Sequence, residues 1–98
     1  MTLYPGKTFR IKALAVLDLS GTPITSPSSI TLVIVDNYGV QQLSTTGITN
    51  DGAGNYHYDY TIPAGLTLNN PVVWKYRYTI VNGSYVDVES SSFTIFPL

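Results

Sequence analysis

Two stretches of this chain alternate a large ring with a polar side chain. One is Tyr56-His57-Tyr58-Asp59-Tyr60-Thr61-Ile62, closed by Pro63, and the other is Trp74-Lys75-Tyr76-Arg77-Tyr78-Thr79-Ile80. A strand points successive side chains to opposite faces, whereas a helix repeats every 3.6 residues. The period of two therefore predicts two β-strands, each with one aromatic face. Tyr56, Tyr58, Tyr60 and Ile62 share the first face, and Trp74, Tyr76, Tyr78 and Ile80 the second. The pattern predicts that these are the central strands of two facing sheets. Such a core lets a short chain without cysteine hold together, because no disulfide or Cys-zinc site is available to it.

The rest of the chain supplies partners for these strands. Residues 8–17 read as a first strand, with Phe9, Ile11, Ala13, Ala15 and Leu17 inward and Arg10 and Lys12 outward. On that phase Leu14 and Val16 also point outward. A loop rich in Gly, Pro, Ser and Thr follows at residues 18–27. Residues 29–35 form a second strand, with Ile30, Leu32 and Ile34 inward and Thr31, Val33 and Val35 outward. Asp36-Asn37-Tyr38-Gly39 reads as a tight turn. Residues 40–46 read as a polar edge strand, and residues 47–55 as turns. Residues 64–71 form a loop with room for one short helical turn.

The last hairpin turns at Asn82-Gly83-Ser84. A two-residue Asn82-Gly83 loop would set Asp87 and Glu89 against the aromatic face, where burying carboxylates costs several kcal/mol. A three-residue loop instead sets Ile80 opposite Val86, Tyr78 opposite Val88, and Arg77 opposite Glu89 on the outside. That choice places Val86 and Val88 in the core. Phe93 and Ile95 are then one step out of phase, which a bulge near Ser90-Ser91-Ser92 would correct. The expected core is Phe9, Ile11, Ile30, Leu32, Ile34, Tyr56, Tyr58, Tyr60, Trp74, Tyr76, Tyr78, Ile80, Val86, Val88, Phe93 and Ile95.

Turns every 8–12 residues and six or seven short strands predict a single all-β domain, residues 1–98, built as an antiparallel sandwich. In the immunoglobulin-like Greek-key version, residues 8–17 and 55–62 share one sheet. Residues 29–36, 40–46, 72–81 and 85–96 share the other.

Chemistry-bearing groups are sparse. Charged residues make up 11% of the chain, against roughly 25% in ordinary soluble domains, and the formal charge is −1. No basic run points to nucleic acid, and no apolar run is long enough for a membrane helix. The first residues lack the apolar segment of a signal peptide. His57 reads as a lone exposed histidine. Asp36, Asp51 and Asp59, with Asn50 and Asn55, do not match an EF-hand loop. Ser90, Ser91 and Ser92 lack a nucleophile-elbow pattern, and Gly52-Ala53-Gly54 precedes a strand where a phosphate loop needs a helix. Asn82-Gly83-Ser84 matches a glycosylation acceptor but reads as a turn. No catalytic, metal or cofactor site is predicted. The remaining candidates are outward apolar residues, Leu14, Val16, Val33 and Val35. They are either ordinary β-branched surface or an interface with a neighbour, a second copy included.

The order of motifs carries a resemblance. Lys7-Thr8-Phe9-Arg10-Ile11-Lys12-Ala13 is followed by Ser20-Gly21-Thr22-Pro23-Ile24, and then by Ser29-Ile30-Thr31-Leu32-Val33-Ile34-Val35-Asp36 with Gly39. Next come Gly54-Asn55-Tyr56-His57-Tyr58-Asp59-Tyr60-Thr61-Ile62-Pro63, Trp74-Lys75-Tyr76-Arg77-Tyr78 and Ser92-Phe93-Thr94-Ile95. Together they resemble small standalone immunoglobulin-like β-sandwich proteins of tailed bacteriophages and bacteria. The chain departs from that group at Asn37-Tyr38, where Asp-Pro is common before the glycine. The resemblance implies a non-enzymatic virion protein made in the host cytoplasm, foremost a capsid decoration protein docked on the major capsid protein. It also admits a neck, tail or fibre ornament, or a binding module of a bacterial surface protein. It implies protein partners, with no cofactor, nucleic acid or membrane.

Overall fold

The computed structural model describes residues 2–98. Seven strands are formed: β1 (Thr8–Ala13), β2 (Ser29–Val35), β3 (Gln41–Thr45), β4 (Thr49–Gly52), β5 (Asn55–Thr61), β6 (Val72–Asn82) and β7 (Tyr85–Ile95). They build two antiparallel sheets, one of three strands in the order β1-β5-β4 and one of four in the order β3-β2-β6-β7. The two aromatic strands are β5 and β6, and both lie in the interior of their sheets. Residues 64–71 form a turn and no helix, with the Leu66 N–H donating to the Pro63 carbonyl.

The sheets share one core. Ile11, Leu32, Ile34, Tyr56, Tyr60, Trp74, Tyr78, Ile80 and Ile95 are buried, with Phe9, Ile30, Tyr58, Tyr76 and Phe93 packed against them partly exposed. Each large side chain buried in this way contributes roughly 1.5–3 kcal/mol. Phe9 of β1 meets Phe93 of β7 edge-on, with ring centroids 4.9 Å apart. Two tyrosine hydroxyls are pegs across the core. Tyr78 of the larger sheet donates to the carbonyl of Ile11 in β1 at 2.6 Å, and Tyr56 donates to the carbonyl of Ile24. A buried hydroxyl without such an acceptor would be costly.

The first strand stops earlier than its pattern predicts. β1 ends at Ala13, and Ala15 takes a positive φ of 54° that reverses the alternation. Val16 is therefore fully buried instead of outward, while Ala15 and Leu17 are exposed. The Val16 N–H donates to the Gly54 carbonyl, and the Val16 carbonyl accepts from the Ile24 N–H, both at 2.9 Å. Gly54 belongs to a two-residue hairpin turn, Ala53-Gly54, in which both residues have positive φ, the mirror-image turn that suits right-twisted strands. That hairpin creates β4, a strand the turn-rich composition of residues 47–55 conceals.

The last hairpin also differs. Asn82 pairs with Tyr85, so the loop is Gly83-Ser84, and Gly83 has a φ of 64°. A glycine with positive φ at the first of two loop positions is the type II′ hairpin. The register puts Val81 opposite Val86, Ile80 opposite Asp87, Tyr78 opposite Glu89 and Arg77 opposite Ser90. Val86 and Val88 are therefore on the outer face, 54% and 50% exposed, and are not core residues. The Arg77–Glu89 outer pair is not formed. The bulge at Ser90-Ser91-Ser92 is unnecessary, because Tyr85, Asp87, Glu89, Ser91, Phe93 and Ile95 share one continuous face. Asp87 and Glu89 are only partly covered there, since β7 is an edge strand and the rim between β1 and β7 is open. Burial still pushes the Glu89 carboxyl upward, with a smaller push from Asp87.

Candidate functional site

The two outer faces have different chemistry. On the smaller sheet, two of the polar rows and the Asp51–His57 pair are satisfied within the sheet, while Lys12 makes no ion pair or side-chain hydrogen bond among the described residues. Thr8 and Thr61 share a hydrogen bond of 2.7 Å, and the Arg10 guanidinium holds both Asp59 oxygens at 2.9 and 3.2 Å. The hydrogen bond from Arg10 holds the Asp59 carboxyl below its usual range. Lys12 lies opposite His57 in the register. His57 is not a free exposed histidine. Its side chain is 12% exposed, and Nδ1 sits 2.6 Å from an Asp51 oxygen. Asp51 and Asp59 thus already have partners. Asp36 has three, accepting from the Tyr38 and Val40 N–H groups and from the Gln42 amide. No group of three or more His, Cys, Asp or Glu gathers among the described residues.

The outer face of the larger sheet is built from β-branched and small residues around two cations. Its rows follow from the pairing: Ser44, Val33, Arg77 and Ser90 in one, then Val35, Lys75 and Ser92 in the next. On one side lie Thr31, Thr79 and Val88, and on the other Val73 and Thr94. Val73 is 48% exposed. The serines of β7 are shorter than the β6 cations beside them. This leaves an open groove of about 510 Å³ lined by Val33, Val35, Lys75, Arg77 and Ser90–Ser92. Neither Lys75 nor Arg77 makes an ion pair or a side-chain hydrogen bond among the described residues.

The four interface candidates are not brought together. Val33 and Val35 line this groove, partly exposed. Leu14 is 59% exposed but stands on the rim between β1 and β7, near Lys12, Tyr76, Glu89 and Ser90. Val16 is inside. In the sequence, Lys75 and Arg77 mark only an outer face. Their lack of carboxylate partners follows from the hairpin register, which moves Glu89 off the face they occupy.

No known family, curated protein or solved structure matches the chain. No described helix is long and apolar enough to cross a membrane.

Proposed function

We propose that this chain is a non-enzymatic structural protein of a bacteriophage virion, an immunoglobulin-like Greek-key sandwich that decorates the capsid. It docks through the outer face of its larger sheet. The observation that carries the docking reading is the contrast between the two faces. The smaller sheet pairs Arg10 with Asp59 and His57 with Asp51, leaving only Lys12 without a partner among the described residues. The larger sheet leaves Lys75 and Arg77 unpaired among Val33, Val35, Val73 and Val88. A groove with an apolar floor and unpaired cations suits an acidic, extended or flat protein surface, whose carboxylates would supply the missing partners. A repeated lattice lets many weak contacts of this kind act together. The virion assignment rests on the sequence resemblance, and the division of strands between the sheets agrees with the immunoglobulin-like arrangement.

A neck, tail or fibre ornament would use the same face on a different partner. Mass spectrometry of purified particles tests the virion reading. Peptides of this chain at a copy number comparable to that of a capsid subunit would support decoration. A copy number of a few per particle would move the protein to the neck or tail. Detection only inside a longer cell-surface polypeptide would overturn the virion reading and favour an excised binding module.

A further inference from the structure

Each open sheet has two edge strands, and three of the four are short, bulged or lined with cations. β3 has five residues and carries a register shift against β2. β4 has four residues and a similar shift against β5. β1 has six residues and places Arg10 and Lys12 along its edge. Short length, bulges and edge cations are the usual ways in which a sheet avoids adding another strand. β7 has none of these three, and its one guard is the pair of inward-facing carboxylates Asp87 and Glu89, confined to its first half. It runs for eleven residues without Pro, Gly, Lys or Arg, and its register against β6 is unbroken from Tyr85 to Ile95. Among the described residues its backbone makes hydrogen bonds only to β6. The nearest further contact is just past its end, where the Phe96 N–H donates to the Leu3 carbonyl. Concavities border its middle, Glu89–Phe93, on the outer face and along the β1 rim.

We propose that β7 pairs antiparallel with β7 of a second copy about a two-fold axis at Ser90, joining the larger sheets into one of eight strands. The sequence of the strand is self-complementary in that register. Ser90 meets its own copy, Glu89 meets Ser91, Val88 meets Ser92, Asp87 meets Phe93 and Val86 meets Thr94. No carboxylate stands directly opposite a carboxylate, the outer face at the axis carries only serines, and the two Glu89 side chains are diagonal neighbours at the open rim of the inner face. A two-fold interface of identical patches is the commonest route to a closed assembly. The pairing also gives a role to Val86 and Val88, which the hairpin register leaves exposed. Each lies beside a short polar side chain of the partner strand on the continued outer face. This inference concerns the sheet edge and does not depend on what the sheet face binds.

The test reads oligomeric state on the whole chain by sedimentation velocity across a dilution series. The parent chain is expected to show a reversible monomer–dimer equilibrium. The variant Val88→Lys/Ser92→Lys places lysine opposite lysine in two rows of the proposed interface and is expected to sediment as a monomer. The variant Val88→Lys/Ser92→Glu places lysine opposite glutamate in the same rows and is expected to dimerise again. Residues 88 and 92 are too far apart on one strand to pair within a copy, but Ser92 lies opposite Lys75 of its own copy, so the reversed variant Val88→Glu/Ser92→Lys, expected to dimerise as well, separates rescue across the interface from relief within the copy. Near-UV circular dichroism matching the parent confirms that all three variants are folded. A parent chain that is monomeric at every concentration would overturn the proposal, leaving the edge to an extended segment of another protein. A dimer indifferent to the two lysines would overturn it equally, because the contact would then lie elsewhere.

Discussion

A methyl group built on Gly54 would lie 2.6 Å from the carbonyl oxygen of Val16 and 3.3 Å from its nitrogen, both backbone atoms that cannot swing aside. Gly54 also has a φ of 81°, a conformation that L side chains rarely adopt. Gly54→Ala therefore combines steric overlap with backbone strain, and it displaces the segment that seats Val16 in the core. A loss of at least about 2 kcal/mol against the parent is expected, read as a fall in urea midpoint; Gly52→Ala, which shares a positive φ of 84° but whose added methyl meets nothing within 4 Å, should fall less, the difference being the overlap. A second residue-scale test concerns Glu89. Desolvation raises its folded-state pKa above the ordinary value of 4.5, so the fold binds that proton more tightly than the unfolded chain does. Its contribution is fully present below the unfolded pKa and is lost as pH rises through the folded one. Glu89→Gln should match the parent near pH 3 and become progressively more stable than it above that window. Asp59 has the opposite sign. Its pKa is lowered by Arg10, so its contribution is present above the unfolded pKa and lost as pH falls through the folded one. Melting curves of Glu89→Gln and Asp59→Asn across pH 3–7 should therefore diverge in opposite senses, and parallel curves would contradict the register of β7.

At the scale of elements, alternation is enough to place β2, β5 and β6, while the division of the strands between two sheets comes from the Greek-key arrangement expected of such a chain. Ring-polar alternation has only one regular backbone that satisfies it. What alternation could not do was set phase across a turn. The three-residue hairpin was chosen to keep Asp87 and Glu89 off an aromatic face, on the assumption that the whole face is dry. An edge strand beside an open rim leaves them partly in water, and the penalty is small enough to accept. The signal for the observed turn was present, since Gly83-Ser84 has the Gly-X form of a type II′ loop. Val16 was misplaced for a related reason. A period of two was carried through Ala15, and no sequence rule marks an alanine that takes a positive φ because a distant glycine turn docks beside it. The Tyr78 hydroxyl was equally illegible, because it bonds across the core to a backbone atom 67 positions away in sequence. Tyr78→Phe keeps the ring and removes only that bond between the sheets. It should cost about 1–3 kcal/mol by leaving the Ile11 carbonyl without this partner. Chemical denaturation that detects no loss would show that the peg contributes nothing.

For the whole molecule, the two outer faces divide the work. The smaller sheet pairs all its outer charges but Lys12, and the larger one presents valines with two free cations. The most direct measurement of the proposed docking is occupancy on purified phage particles that lack this chain. Purified chain, a Val33→Glu/Arg77→Glu variant and a Thr61→Glu control on the opposite face would be added and quantified. Thr61 and Arg77 are exposed, but Val33 is half-buried and lies opposite Arg77, so the double variant sets two carboxylates side by side and is expected to lose roughly 1 kcal/mol or more; circular dichroism and melting curves should show all three proteins folded at the temperature of the assay. The account predicts that the parent and the Thr61→Glu control fill the particle while Val33→Glu/Arg77→Glu does not. Full occupancy by the double variant, or its loss in the control alone, would contradict the assignment of the larger sheet as the docking face.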